Sequence, residues 1–74
     1  MKKSNYSINE GDLILITETF PEWDWLEYTT GDTGFVVRVR DYNYGFLILD
    51  VFFFRKEIQV PVPDYFVELL GKNK

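Results

Sequence analysis

The sequence predicts an all-β domain, a small five-stranded antiparallel barrel with a long first loop and a one-turn helix before the last strand. Three consecutive segments, "FVVRVR", "FLILDVFFF" and "EIQVPVP", are typical of strands, and turn-rich stretches separate them. No helical periodicity of useful length appears in the 74 residues. Five short strands are expected to close on themselves to hide their edges, which favours a strongly bent barrel.

The elements follow in chain order. The first strand is expected in "EGDLILITET", where a Gly-Asp turn precedes four apolar residues. A long aromatic loop, Phe20 to Asp32, comes next, because Pro21 ends the strand and "TTGDTG" supplies two glycines for the return. The three strands quoted above are joined by "DYNYG" and by Arg55-Lys56, and "PDYF" and "VELL" predict the one-turn helix and the last strand.

The predicted domain boundaries place a short tail at residues 1–9, the barrel at 10–71 and a second tail at 72–74. A chain of this length buries only roughly 60% of its unfolded surface, so one core and marginal stability are expected. Hydrophobic residues make up 46% of the chain and charged residues 27%, which is a globular composition.

Strand pairing across the two short connections predicts the register. The expected pairs are Arg40–Phe46, Arg38–Ile48 and Val36–Asp50 across the first, and Phe54–Glu57, Phe53–Ile58, Val51–Val60 and Leu49–Val62 across the second. Directly opposed residues share a face of the sheet. The face expected to be buried is entirely apolar and comprises Phe35, Val37, Val39, Leu47, Leu49, Val51, Phe53, Ile58, Val60 and Val62. The outer face would comprise Val36, Arg38, Arg40, Phe46, Ile48, Asp50, Phe52, Phe54, Glu57, Gln59 and Pro61.

Composition excludes several function classes. The chain has no cysteine and no histidine, which removes thiolate chemistry, cysteine-based metal sites, and the commonest general base and metal ligand. Neither a signal peptide nor a membrane span is expected, which predicts a cytoplasmic protein. The net charge of −4 disfavours nucleic-acid binding. No enzyme activity, cofactor, metal or small-molecule substrate is expected.

Three motifs resemble the Src-homology-3-like barrels. "GDLILI" is similar to the Gly-Asp opening of their first strand, and "GDTGFVVRV" resembles the glycine turn and second strand of KOW-type barrels. "VPVPDYFVELL" is similar to the ending of Src-homology-3 domains, with a proline, a one-turn helix bearing a tyrosine, and a closing strand. The resemblance covers Gly11 to Leu70. The aromatic first loop is also similar to that of a small peripheral protein of photosystem I, another barrel of this class.

Aromatic residues are the candidate partner-binding groups, because Trp and Tyr commonly anchor interfaces and exposed apolar patches commonly mark them. The predicted binding residues are Trp23, Trp25, Tyr28, Phe46, Ile48, Phe52 and Phe54, with Tyr42, Tyr44, Tyr65, Arg38 and Arg40 as secondary candidates. Phe20 and Leu26 are expected to hold the aromatic loop on the barrel. At least one of the two tryptophans is expected to stay exposed.

Other interpretations remain open for each feature. The aromatic loop could instead cap one end of the barrel, and that loop or the N-terminal segment with Tyr6 and Ile8 could cover the third strand. The basic residues Arg38, Arg40, Arg55 and Lys56 are interpreted as a solvated face, with RNA contact as the alternative. The acids Glu18, Glu22, Asp24 and Glu27 lack the spacing of a calcium loop and are interpreted as solvated charge.

The leading functional hypothesis is a non-enzymatic protein-interaction module or accessory subunit of a larger assembly, of the phage structural or accessory type, with a virion-associated location as one form of it. Its partner would be another protein or a second copy of the chain. The alternative is a KOW-like accessory that binds RNA, the ribosome or the transcription machinery.

Overall fold

The computed structural model describes residues 8–19 and 27–71. They form five strands, β1 (Leu13–Ile16), β2 (Thr33–Asp41), β3 (Leu47–Phe53), β4 (Ile58–Pro63) and β5 (Val67–Gly71). A single 3₁₀ turn, Asp64–Phe66, connects β4 to β5. The predicted all-β domain with five antiparallel strands and a one-turn helix before the last strand is therefore confirmed.

The strands form one sheet in the order β4-β3-β2-β1-β5, with every neighbouring pair antiparallel. The sheet is not closed, because within residues 8–19 and 27–71 its edge strands β4 and β5 do not pair with each other. The β4 edge carries Pro61 and Pro63, which lack the N–H that a further strand would need. Within the same residues no helix has the length and apolar character needed to span a bilayer.

The register between β3 and β4 agrees with the sequence prediction. Phe53 pairs with Ile58, and the further pairs are Val51–Val60 and Leu49–Val62. The predicted Phe54–Glu57 pair is wrong, because β3 ends at Phe53 and residues 54–57 form a four-residue turn. The N–H of Glu57 closes this turn on the carbonyl oxygen of Phe53 at 2.9 Å, and Glu57 adopts a left-handed φ of 55°. The longer turn removes the need for a tight Arg55-Lys56 connection.

The register between β2 and β3 differs from the prediction. Arg38 pairs with Asp50 and Arg40 with Ile48, two residues away from the expected partners. Val36 pairs with Val51, so Val37 is an extra residue that forms a β-bulge. Because of the bulge, the residues of β2 before Val37 point to the opposite face of the sheet from the one expected.

The reversal corrects three burial predictions. Val36, expected outside, is 1% exposed, whereas Val37, expected inside, is 37% exposed. Phe35, also expected inside, is half-buried against outward-facing rings. Gly34 allows the close approach of β2 to β3, because a Cβ there would collide with the carbonyl oxygen of Phe52.

The core lies on the inner face of the sheet and combines strand residues with residues from connecting segments. Its buried apolar members are Ile8, Ile14, Ile16, Tyr28, Val36, Leu47, Leu49, Val51, Phe53, Val62, Phe66 and Val67, and Val39, Ile58, Val60, Tyr65 and Leu69 pack against them. The predicted interior residues Leu49 and Val51 are fully buried. Ile8, which the sequence placed in the N-terminal tail, is only 1% exposed.

Two similar turns frame the pairing of β1 with β2. In the Asn9–Asp12 turn, the N–H of Asn9 donates to Asp12 Oδ2 at 2.8 Å, and in the Thr29–Asp32 turn the N–H of Thr29 donates to Asp32 Oδ2 at 2.9 Å. Each turn has a glycine with φ near the left-handed region, 88° at Gly11 and 97° at Gly31.

Each of these glycines also bonds to the opposite strand. The N–H of Gly11 donates to the carbonyl oxygen of Val36 at 2.7 Å, and that of Gly31 donates to the carbonyl oxygen of Ile16 at 2.8 Å. The two Gly-Asp turns therefore fix the β1–β2 pairing from both ends.

Candidate interaction surface

The outward face of β3 forms an apolar stripe along the sheet. Successive residues of a strand point to opposite faces, so Ile48, Asp50 and Phe52 of β3 share the outer face, and Phe46 and Phe54 flank the strand at its two ends. We define the β3 stripe as Phe46, Ile48, Asp50, Phe52 and Phe54. Phe46, Ile48 and Phe52 are half-buried and Phe54 is 46% exposed. The structure thus places the four predicted apolar binding residues of the third strand on one surface.

Three phenylalanine rings gather at the Phe54 end of the stripe. The ring centroids of Phe35 and Phe52, which are paired across β2 and β3, lie 5.5 Å apart. The Phe54 ring lies 5.9 Å from that of Phe35 and 6.2 Å from that of Phe52. These distances are typical of interacting aromatic pairs. The bulge at Val37 creates this cluster, because it turns Phe35 outward.

A second aromatic cluster lies at the Phe46 end, and we call it the tyrosine row: Tyr42, Tyr44, Phe46 and Tyr65. Successive ring centroids are 5.7, 5.8 and 5.1 Å apart. Tyr44 is 65% exposed and Tyr42 is 47% exposed. All four residues were predicted as primary or secondary binding candidates, and the structure brings them together.

The connection between β2 and β3 holds the tyrosine row in place. Asn43 and Gly45 adopt left-handed φ values of 63° and 86°, and they alternate along the chain with Tyr42, Tyr44 and Phe46, whose rings lie side by side. The N–H of Asn43 donates to Asp41 Oδ1 at 2.9 Å, a local bond that is common where Asp and Asn initiate turns. Phe46 then packs edge-on against Tyr65 of the 3₁₀ turn at an interplanar angle of 82°.

An ion pair occupies the centre of the stripe. Arg40 donates to Asp50 Oδ2 from Nε at 2.9 Å, and its second nitrogen, Nη2, lies 2.8 Å from the same oxygen. Arg40 also donates from Nη1 to the Tyr42 hydroxyl at 3.2 Å, which links the ion pair to the tyrosine row. Asp50 is 5% exposed although it belongs to the outer face. Its charge is therefore compensated within the sheet.

Arg38 supplies a second cation at this position. It is paired with Asp50 across β2 and β3, so the two residues share the outer face. Arg38 is exposed, and in the described part of the chain no carboxylate lies within ion-pair distance of it. With Arg40 and Asp50 neutralising each other, the centre of the stripe carries one uncompensated positive charge.

The remaining predicted basic residues lie in the turn after β3. Arg55 forms a two-pronged ion pair with Asp32, with distances of 2.7 Å from Nε to Oδ1 and 2.8 Å from Nη2 to Oδ2. This bond with Arg55 is the main reason that the pKa of Asp32 is lowered, and the N–H of Thr29 contributes in the same direction. Two of the four basic residues are thus neutralised internally, so they do not form an open cationic patch.

Tyr28 is not at the surface where the sequence prediction placed it. It is 4% exposed, and its ring stacks on that of Phe53 with centroids 5.2 Å apart and an interplanar angle of 6°. Burial raises the pKa of its hydroxyl. The reason is steric and apolar: the ring completes the core beside Phe53 at the point where the chain returns to β2.

The other predicted residues of the aromatic loop, Phe20, Trp23, Trp25 and Leu26, lie outside the described residues. The residue of this surface that sequence reasoning missed is Phe35. The sequence contained a signal for it. In "GFVV" three successive residues are apolar, so the pattern does not decide which of them face inward, and the glycine suggests a bulge or a close backbone approach.

Charged groups in the described residues do not assemble a metal site. Within residues 8–19 and 27–71 no group of three or more potential ligand side chains is placed to hold a metal ion. A groove of about 480 Å³ runs beside β4, lined by Glu27, Ile58, Gln59 and Val60. Glu27 is the one charged residue among these four.

Fold and surface define a small all-β domain with an aromatic outer stripe. The scan against protein-family models gives no match, and the searches of the curated proteins and of the solved structures give no significant match.

Proposed function

We propose that this protein is a non-enzymatic interaction module, an accessory component of a larger assembly, that binds a partner protein through the β3 stripe. The observation that carries the proposal is the stripe itself: Phe46 and Ile48 lie on one side of the Arg40–Asp50 ion pair and Phe52 and Phe54 on the other, with an aromatic cluster at each end. Apolar surface patches are typical of interfaces, and aromatic side chains dominate their binding energy.

The mode of contact follows from the position of β3. Both edges of β3 are already hydrogen-bonded, to β2 and to β4, so a partner cannot add a strand to it. The β4 edge is unsuited to strand addition as well, because of its two prolines. A partner is therefore expected to dock on the face of the sheet through side chains.

The Src-homology-3-like assignment is part of this proposal. It is supported by the antiparallel five-strand order and by the 3₁₀ turn that bears Tyr65 directly before β5. No activity is assigned to the chain, since it lacks histidine and cysteine and since Arg40 and Arg55 are each engaged by a carboxylate. The same two ion pairs argue against the RNA-binding alternative, which needs open cationic groups.

Site-specific photo-crosslinking tests the proposal. A photoreactive phenylalanine analogue is placed at Phe54 in one variant and at Leu70 on β5 in a matched control, two exposed apolar positions with 46% and 54% exposure. In extract from the native source, the Phe54 variant should give a discrete protein adduct that the Leu70 variant does not. Adding Ile48→Asp to the Phe54 variant should abolish the adduct. Equal labelling from both positions, or none from Phe54, would contradict the proposal.

A further inference from the structure

The β3 stripe has a charge pattern as well as an apolar character. Its two ends are aromatic, and its centre is the row in which Arg38 lies opposite Asp50. Asp50 is engaged by Arg40, so the positive charge of Arg38 is left for an external group. An interface that covered this row with apolar groups would bury an unpaired cation, which is costly. A partner with a carboxylate at this position avoids that cost.

We infer that the stripe binds an acidic apolar segment of its partner, in which apolar side chains contact the two aromatic ends and a carboxylate pairs with Arg38. This inference rests on the proposed function and specifies the chemistry of the partner. Electrostatic complementarity of this kind chiefly sets specificity, because like charges placed together are strongly disfavoured. The segment is therefore selected by its central charge, and the aromatic contacts supply most of the affinity.

The spacing of the residues in the β3 stripe determines the design of a peptide that can test the inference. Five outward positions, each two residues apart, span Phe46 to Phe54 with the Asp50 row in the middle. An extended peptide advances about 3.3 Å per residue and projects alternate side chains on one face. The nine-residue peptide Trp-Ser-Ile-Ser-Glu-Ser-Ile-Ser-Trp, with blocked termini, matches this spacing in either direction and puts its carboxylate at the centre. Versions with Gln or Lys at the centre are otherwise identical.

Each peptide is titrated into ¹⁵N-labelled protein at low salt, and binding is followed through the backbone amide shifts of β2 and β3. We expect the Glu peptide to bind roughly threefold more tightly than the Gln peptide, the range expected for an exposed ion pair, and the Lys peptide to bind most weakly. The preference for Glu should shrink at high salt, because exposed charges are screened.

Two variants separate the ion pair from general charge. Arg38→Gln should equalise the affinities of the Glu and Gln peptides without changing that of the Gln peptide. Lys56→Gln removes the same charge from an exposed position in the turn after β3 and should leave the preference intact. Because Arg38 is exposed and lacks a described ion-pair partner, neither variant is expected to disturb folding.

The outcomes distinguish the inference from the proposed function. Equal binding of the three peptides to the stripe would overturn the acidic partner but leave the stripe as a binding surface. A preference for the Glu peptide that persisted in Arg38→Gln would also overturn the inference, since a group other than Arg38 would then recognise the carboxylate. Absence of shifts with every peptide would overturn the inference, and the photo-crosslinking at Phe54 would then decide independently whether the stripe binds protein.

Discussion

At the residue scale, Asp32 shows how one residue, through its side chain and its backbone, supports several parts of the fold. Its carboxylate accepts the N–H of Thr29 within its own turn and two bonds from Arg55 in the turn after β3. Its carbonyl oxygen accepts the N–H of Ile16 at 2.8 Å. The sequence predicted the Gly-Asp turn from local chemistry, but it could not predict the bond to Arg55, because that contact depends on how two distant turns approach each other.

The lowered pKa of Asp32 predicts a pH dependence of stability. Because the folded-state pKa lies below the ordinary value of 3.8, the ionised carboxylate stabilises the fold above that pH. The contribution is lost as the pH falls through the folded-state pKa. Asp32→Asn should therefore be less stable than the wild type at pH 7, and the difference should shrink below about pH 4.

Urea unfolding at pH 7, 5 and 3 measures this effect. Glu57→Gln, which removes an exposed carboxylate from the same turn as Arg55, is the matched control and should show no comparable loss at pH 7. A stability difference between the wild type and Asp32→Asn that stayed constant down to pH 3 would contradict the role of the ionised carboxylate.

At the scale of elements, the β3–β4 pair was predictable and the β2–β3 pair was not. In β3 and β4 the apolar residues of the inner face alternate with Asp50, Gln59 and two prolines, so a shift of one residue would put polar groups inside. In β2, by contrast, Val36 and Val37 are equally suited to either face. The hydrophobic pattern could therefore not locate the bulge between Val36 and Arg38.

The bulge makes opposite predictions for two adjacent valines. Val36→Lys should unfold the domain, because an unpaired charge in the core costs several kcal/mol and a domain of this size has only about 5 to lose. Val37→Lys should change the free energy of unfolding by no more than about 0.5 kcal/mol, as is usual for exposed positions. Circular dichroism during thermal unfolding distinguishes the two variants. A stable Val36→Lys variant together with an unfolded Val37→Lys variant would restore the register expected from the sequence.

At the scale of the whole molecule, the sequence predicted five antiparallel strands and a one-turn helix but overestimated their closure. Closure was expected because the strands must hide their edges, but the prolines of β4 protect one edge without closure. Side chains from connecting segments contribute to the core: Ile8 precedes the first turn, Tyr28 follows the long loop, and both are buried. Patterns of alternation carry no information about such residues, because they lie outside the strands.

The same reasoning applies to the candidate site. The outward residues of β3 were predictable from alternation, since it was enough to know which face of the sheet one residue of the strand occupies. The three tyrosines of the tyrosine row were named only as secondary candidates, because strand alternation does not predict how side chains are arranged in a connection with left-handed residues such as Asn43 and Gly45. Phe35 and Val37 were both assigned to the core because the bulge in β2 was not predicted. The aromatic cluster at the Phe54 end was therefore not predicted either.

The contribution of Ile8 to the core yields a prediction about the limits of the domain. Truncation of a buried isoleucine to alanine costs about 2–5 kcal/mol, which approaches the whole stability expected for a domain of this size. Ile8→Ala should therefore lower the urea midpoint sharply or leave the domain partly unfolded. Leu70→Ala, at an apolar position that is 54% exposed, should have little effect. If Ile8→Ala unfolded at the same urea concentration as Leu70→Ala, the segment before the first Gly-Asp turn would be a tail and the core would be complete without it.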